Sequence, residues 1–397
     1  KIKGGEKYMK VIFLGNALNY QTVKSNKNIS TVSYADNQAQ ISLIKEFNKY
    51  YKEDFKVITA AYNNDVTLKH KEENVLIGGA NCLAIKNYSG NKIIYYLSII
   101  IGYTKQLNRL LKQYKGEKII VITNGPHAFR TLPILFTRKR FDYIFIPFLV
   151  GAVELPELKG LDHIVASFSP KLLKMADGTI TYVKNSSVLY TKKPYVEILY
   201  SLNEKDFTYK EKKEKKESDL IKILFTGALN DINSIPVLIN LIKISPKNYR
   251  FIICGSGQYE NELQNLSKTN SKKVKFLGLI NHDKVIELQH QVDYLIILRN
   301  KKDDFGLYHS KYSMSSKLFE YLLSGTPVIV NDHEAMQKEI RPYLNIINNT
   351  EPDTIINLIE NPPKDLKAKS KKGQKFVIEN AKDEIQMKKV INFINKF

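Results

Sequence analysis

Ser315-Ser316-Lys317-Leu318-Phe319-Glu320-Tyr321-Leu322-Leu323-Ser324-Gly325-Thr326-Pro327-Val328-Ile329-Val330 reads as a short helix closed by a glycine, then a proline and an apolar strand. Ser315 and Ser316 are suited to cap the helix start, Gly325 to a left-handed C-terminal cap, and Val328 to Val330 to a strand. Lys317 and Glu320 stand three apart, so both emerge on one face at the amino end of the helix. A lysine there opposes the helix dipole and is locally unfavourable. That is a reason to expect a bound anion beside it.

The alternation of strand and helix extends upstream. Ile221 to Thr226 reads as a strand ending at Gly227, with a helix around Ile235 to Lys243. Tyr249 to Cys254 is the next strand, followed by Gly255-Ser256-Gly257 and a helix from Gln258. Short strands at Val274 to Leu277 and Tyr294 to Leu298 complete a set of β-α units, a nucleotide-binding-like domain. In the first half, strands are expected at Lys10 to Leu14, Phe55 to Ala60, Lys118 to Thr123, Ile144 to Phe148, Ile164 to Ala166 and Val196 to Leu199. Helices are expected at Asn37 to Tyr50 and at Tyr95 to Tyr114, the latter with a polar stripe through Lys105, Arg109 and Lys112. This too is an α/β pattern with a mostly parallel sheet.

Lys210 to Asp219 is nearly all charged and has no apolar period, which marks a boundary. The expected division is therefore residues 1–209, a linker at 210–219, and a second domain at 220–375. Residues 376–397 form a tail with helical spacing of its apolar residues. A chain of 397 residues exceeds the range in which one core is usual, which agrees with two domains.

The formal charge of +21 is uneven: residues 1–210 carry 31 basic and 17 acidic groups, residues 211–397 carry 30 and 23. Polyanions attract such a surface, as does the anionic cytoplasmic face of a membrane, and a lysine-rich surface is also simply well solvated. No helix-turn-helix, zinc-finger or aromatic RNA-binding motif is visible, which argues against nucleic acid. Cys82 and Cys254 give neither a disulfide framework nor a metal signature, as expected of a reducing compartment. The opening Lys1 to Tyr8 is too polar for a signal core, and Met9 is the expected natural start. Neither Ile93 to Gly102 nor Tyr143 to Val153 reaches spanning length, so membrane contact is expected to be peripheral, through Arg138-Lys139-Arg140 and the apolar Leu132 to Phe136.

The second half resembles the donor-binding domain of a GT-B glycosyltransferase, close to the family 4 group. The pieces that carry the resemblance are, in order, Phe225-Thr226-Gly227-Ala228-Leu229, Ile253-Cys254-Gly255-Ser256-Gly257, Val274-Lys275-Phe276-Leu277-Gly278 and Val292-Asp293-Tyr294. Ser316-Lys317-Leu318-Phe319-Glu320-Tyr321 with Gly325-Thr326-Pro327-Val328-Ile329 completes the series. The first half matches in its general α/β pattern and near Asn203-Glu204-Lys205-Asp206-Phe207. The resemblance implies an α/β fold of GT-B type: two facing Rossmann-like domains, a cleft between them holding a nucleotide-sugar, and a C-terminal helix that crosses back to the N-terminal domain. It also implies a retaining, metal-independent enzyme with no cofactor, acting on surface polysaccharides or glycolipids at the cytoplasmic membrane.

On that resemblance Glu320 binds the donor ribose. An ionised carboxylate is acceptor-only and takes two bonds from a diol. Lys317 stands near the diphosphate, where cations neutralise leaving-group charge. Arg299, directly after a strand, is placed for a forked phosphate contact. Gly227, Gly255 and Gly257 let the nucleotide approach the backbone, and their spacing is not the dinucleotide fingerprint. Ser316 and Leu318 flank Lys317 on the donor side. Tyr312 occupies the position eight before Glu320, where the family often has a second carboxylate; Asp303, Asp304 and His309 in the same loop are candidates to reach the sugar. His127 is the candidate histidine facing the sugar, and Asn16, Asn19 and Asn37 are expected on the acceptor side.

The expected activity is transfer of a hexose from a nucleotide diphosphate sugar, a UDP-sugar on the resemblance, to a hydroxyl of a lipid-linked or polysaccharide acceptor. Two alternatives stay open. A nucleotide-sugar epimerase of the same fold needs an acid and a base at the sugar ring. A scaffold subunit without catalysis would account for Tyr312 and the atypical first loop.

Overall fold

The computed structural model describes residues 9–18, 34–60, 71–88, 91–151, 160–202, 207 and 220–397. The linker at 210–219, Asn19 and the segment 203–206 lie outside the described residues. The chain divides into two compact units, one of residues 1–201 with 383–397, the other of residues 202–382.

The first unit is built on an eight-stranded sheet. Its strands are β1 (Met9–Gly15), β2 (Phe55–Thr59), β3 (Glu73–Ile77), β4 (Ala80–Ala84), β5 (Lys118–Asn124), β6 (Ile144–Leu149), β7 (Thr179–Thr181) and β8 (Tyr195–Glu197). The order across the sheet is β3-β4-β2-β1-β5-β6-β7-β8. All neighbours are parallel except the edge hairpin β3–β4, which turns at Gly78 and Gly79. Val11 to Leu14 and Ile120 to Ile122 are fully buried, as expected of parallel strands covered on both faces.

The helix Lys92–Gln113 packs Ile99, Tyr103, Leu107 and Leu111 into the core on one side of this sheet. Ile164 to Ala166, expected as a strand, lies in the helix Gly160–Ser167. The sheet passes directly from Phe148 in β6 to Ile180 in β7, so no strand lies between these two. The Leu132 to Phe136 run lies in the helix Ala128–Arg138, where only Phe136 is well exposed, and Arg138 is paired with Asp177 at 2.7 Å. Lys139 and Arg140, which follow that helix, are exposed.

The second unit carries a six-stranded parallel sheet: β9 (Ile221–Thr226), β10 (Tyr249–Cys254), β11 (Val274–Gly278), β12 (Tyr294–Ile297), β13 (Val328–Asn331) and β14 (Asn345–Ile347). The order β11-β10-β9-β12-β13-β14 is that of a doubly wound, dinucleotide-binding sheet, counted 3-2-1-4-5-6 within the unit. Ile223, Phe225, Ile253, Ile296 and Ile329 from its strands meet Leu238 and Ile242 from the helix Ile235–Ile244 in one core.

The tail is not one helix. The helix Leu366–Asn380 packs in the second unit against the helix Lys317–Leu323, and the chain breaks at Ala381. The helix Asp383–Ile394 then belongs to the first unit. Ser42 donates to Asp383 at 2.8 Å, and the Leu199 N–H donates to Gln386 at 2.9 Å.

Candidate functional site

In the second unit the strand order reverses between β9 and β12, and ligands of open α/β sheets collect beyond the carboxyl ends at such a point. β9 ends at Thr226 and Gly227, while β12 runs on into Leu298 and Arg299. The helix Lys317–Leu323 is tied to this edge by the fully buried Tyr321. The Tyr321 hydroxyl accepts from the Thr226 N–H at 3.0 Å and shares a bond with the Thr226 hydroxyl at 2.9 Å. One turn earlier, Lys317 lies over Gly227: a methyl group placed on Gly227 would meet Lys317 Cε at 3.4 Å and Nζ at 3.8 Å.

Burial pushes the Lys317 ammonium below its ordinary value, Glu320 pulls it back up, and the Arg299 charge depresses it further. Two cations and one carboxylate thus converge beside a residue with no side chain. Two cations held together are relieved by a bound dianion, and the arrangement suits a diphosphate. Arg299 is buried, and the Asn331 side chain holds its backbone. His309 and His333 are buried nearby; burial first, and the Arg299 charge second, bring each down to about 4, so both are neutral at pH 7.

Gly255 and Gly257 serve the backbone itself. Gly255 has φ of +146°, and a Cβ there would stand 1.8 Å from the Gly227 carbonyl oxygen. The Gly227 N–H donates to the Cys254 carbonyl at 2.9 Å, so the two loops pack main chain on main chain. Only glycine allows that approach.

Other expectations are placed differently. Ser316 has helical backbone angles and makes no side-chain capping bond, because an N-cap side chain reaches the first turn from an extended backbone. Gly325 does close the helix, at φ +68°. Leu318 is fully buried, and its N–H is bonded to the Ser315 carbonyl. Asp303 is not a free loop acid: it caps the helix Asp304–Tyr312, accepting from the Gly306 N–H at 2.6 Å and from Asn300 at 2.7 Å. Those bonds hold its carboxyl below the usual range, the Gly306 bond most of all. His309 sits inside that helix, and Tyr312 at its end packs on Tyr308.

In the first unit the order reverses between β1 and β5, and a polar cluster sits at their carboxyl ends. Asn16 exchanges two bonds with Gln40, N–H to Oε1 at 2.8 Å and Nε2 to Oδ1 at 2.9 Å. Asn124 donates to Asn16 at 3.3 Å and to Asp36 at 3.1 Å. Burial raises the Asp36 carboxyl pKa against the opposing Arg130 charge and the amides of Asn124 and Gln40. His127 is exposed at the start of the helix Ala128–Arg138, stacked on Phe129 with ring centres 5.3 Å apart. Asn37 is spent on the loop, with its amide bonded to both sides of the Leu18 peptide. Gln40, Asn124 and Arg130 were missed in the sequence, since the partners that make them a cluster are brought together only by the fold. The asparagine at the end of β5 was the one readable sign of them.

Residues 206–376 match the family model of glycosyl transferases group 1. Among curated proteins none matches the chain in sequence. Solved structures are similar over nearly the whole chain. Sucrose-phosphate synthase from Thermosynechococcus elongatus aligns at TM-score 0.68 and 12% identity, covering 98% of this chain and 99% of that one. HepE of Anabaena in complex with UDP aligns at 0.65 and 12%, covering 98% and 100%. The lipopolysaccharide outer core galactosyltransferase WaaB aligns at 0.63 and 14%, covering 98% and 100%. The chain therefore has the two-domain GT-B fold of these structures, and its residues 206–376 match the family model of glycosyl transferases group 1.

Proposed function

We propose that the chain is a retaining, metal-independent hexosyltransferase that moves a sugar from a UDP-sugar to a hydroxyl of a lipid-linked or polysaccharide acceptor. The observation that carries this reading is the placement of Lys317 over Gly227, with Arg299 and Glu320 in electrostatic reach, at the switch point of the second unit. Lys317 and Arg299 bind the diphosphate and take up the charge that grows on it as the glycosidic bond breaks. Glu320 accepts from the ribose hydroxyls.

The first unit holds the acceptor at its Asn16, Asn124 and Asp36 cluster, with His127 beside the transferred sugar. UDP is preferred because HepE is described with UDP. A glycolipid or polysaccharide acceptor at the inner face of the plasma membrane is supported by WaaB, described as a lipopolysaccharide galactosyltransferase, and by the basic first half of the chain. Thermal shift against UDP, GDP and thymidine diphosphate checks the base, and UDP release from UDP-hexoses with lipid-linked and oligosaccharide acceptors checks the reaction. A larger shift with GDP overturns the donor. UDP binding without transfer to any acceptor overturns the activity.

A further inference from the structure

The helix Lys92–Gln113 has an outer face that the site above does not use. Ile94 is 51% exposed, Leu97 51% and Ile101 64%, and Ile93 beside them is 53% exposed. Lys105, Arg109 and Lys112 continue the same line. Steps of three and four residues keep 94, 97, 101, 105, 109 and 112 on one stripe about 27 Å long. The stripe is apolar over its first half and cationic over its second.

The cationic half opens on a cavity of about 510 Å³, lined also by Arg140, Phe141 and Glu72. Gln106, 2% exposed, lines the same cavity and donates its amide to Glu72 at 2.9 Å. Its Oε1 and the Asn108 Oδ1 are buried without a hydrogen-bond partner among the described residues. A phosphate ester bearing hydroxyls matches this lining, with phosphate for the cations and hydroxyl donors for acceptor oxygens. Four large aliphatic side chains in a row, next to cations, fit an interface between hydrocarbon and anionic headgroups.

The direction of the helix gives the stripe a use. It follows β4, which runs parallel to β2 and β1, so its first turns stand at the carboxyl edge of the sheet with Asn16, Asn124 and His127. Tyr96 stacks on Phe129 at 6.1 Å, and Phe129 on His127 at 5.3 Å, which joins the apolar end to the cluster proposed for the acceptor. Among the described residues no helix is long and apolar enough to cross a membrane.

We propose that this outer face docks the first unit on an anionic lipid bilayer, the Ile94, Leu97 and Ile101 end among acyl chains and the Lys105, Arg109 and Lys112 end on phosphate headgroups. The inference deepens the reading above, resting on its membrane-presented acceptor. The test is co-sedimentation with phosphatidylglycerol and phosphatidylcholine vesicles at low and high salt. Wild-type protein is expected to sediment with the anionic vesicles only, and less at high salt. Lys105→Glu with Arg109→Glu lowers that partition at least about thirty-fold, and Leu97→Asp with Ile101→Asp lowers it at any salt.

All four substituted side chains are on the exposed face, and matching melting curves confirm the fold of each variant. Equal sedimentation of variants and wild type, or equal binding to neutral vesicles, overturns the proposal. So does a dimer in ultracentrifugation that Leu97→Asp dissociates, which would make the face a contact between copies. UDP titration of the same proteins separates the two readings. Lost vesicle binding by wild type with intact UDP binding removes the docking face alone, and the reverse removes the transferase reading alone.

Discussion

The Asn331 side chain binds both sides of the Arg299 backbone: its Oδ1 accepts from the Arg299 N–H at 2.7 Å, and its Nδ2 donates to the Arg299 carbonyl at 2.9 Å. Arg299 lies just past β12, where the ladder with β13 has ended at Ile297 and Val330. The asparagine amide extends that ladder by one side chain and so aims the arginine. Asn331→Ala removes both side-chain bonds to the Arg299 backbone, at a cost of about 1–3 kcal/mol. Urea denaturation should show that loss and calorimetry a weaker affinity for UDP. Unchanged values in both would mean that Arg299 is placed by other contacts.

The backbone packing of Gly227 on Gly255 sets up a paired comparison. Gly255→Ala drives a methyl group into the Gly227 carbonyl, so the loop must move and UDP binding should fall sharply. Gly278→Ala meets no atom within 4 Å, and only its positive φ is strained, at about 1 kcal/mol. Melting temperature and UDP affinity of the two variants should differ in that order. Equal behaviour would show that the Gly227 loop adapts freely.

The depressed Lys317 pKa makes donor binding pH-dependent, with a definite sign. A diphosphate stabilises the charged ammonium, so binding raises the pKa and takes up a proton whenever some of the free protein is deprotonated. UDP affinity should therefore fall as pH rises into the alkaline range. Calorimetry in buffers of different ionisation enthalpy should find net proton uptake there. Lys317→Met should abolish the uptake, and its persistence in that variant would assign the proton to another group.

His333 makes the second unit acid-sensitive. Burial brings its folded pKa down to about 4, below the ordinary 6.5 of a histidine, so the unfolded chain binds the extra proton between those two values. Its contribution is complete above the higher value and is lost as pH falls through the lower one, on the order of 3 kcal/mol in all. His333→Gln should flatten the stability profile across that window in urea titrations. An unaltered slope would locate the acid sensitivity elsewhere.

The second unit was legible because its strands are short and mostly apolar, with Lys222 and Arg250 as the single charged residues of β9 and β10. Ile221 to Thr226 and Tyr249 to Cys254 are found at the expected residues. The three-residue run Ile164 to Ala166 carries too little period to separate strand from helix. The glycine pair at Gly78 and Gly79 was the unread sign of the β3–β4 hairpin. Lys317 and Glu320 could be read from their spacing on one helix. Asn331 and Arg130 could not, since each acts through a partner from a distant part of the sequence, and spacing carries no trace of such pairs.

Calorimetric titration of UDP into wild-type protein and into Lys317→Ala and Glu320→Ala tests the central claim most directly. The account predicts binding to wild type and a loss of about 10- to 100-fold in each variant with the fold intact, the size of one charged hydrogen bond to the ligand. Absent UDP binding by the wild type, or equal affinity in all three proteins, would contradict it.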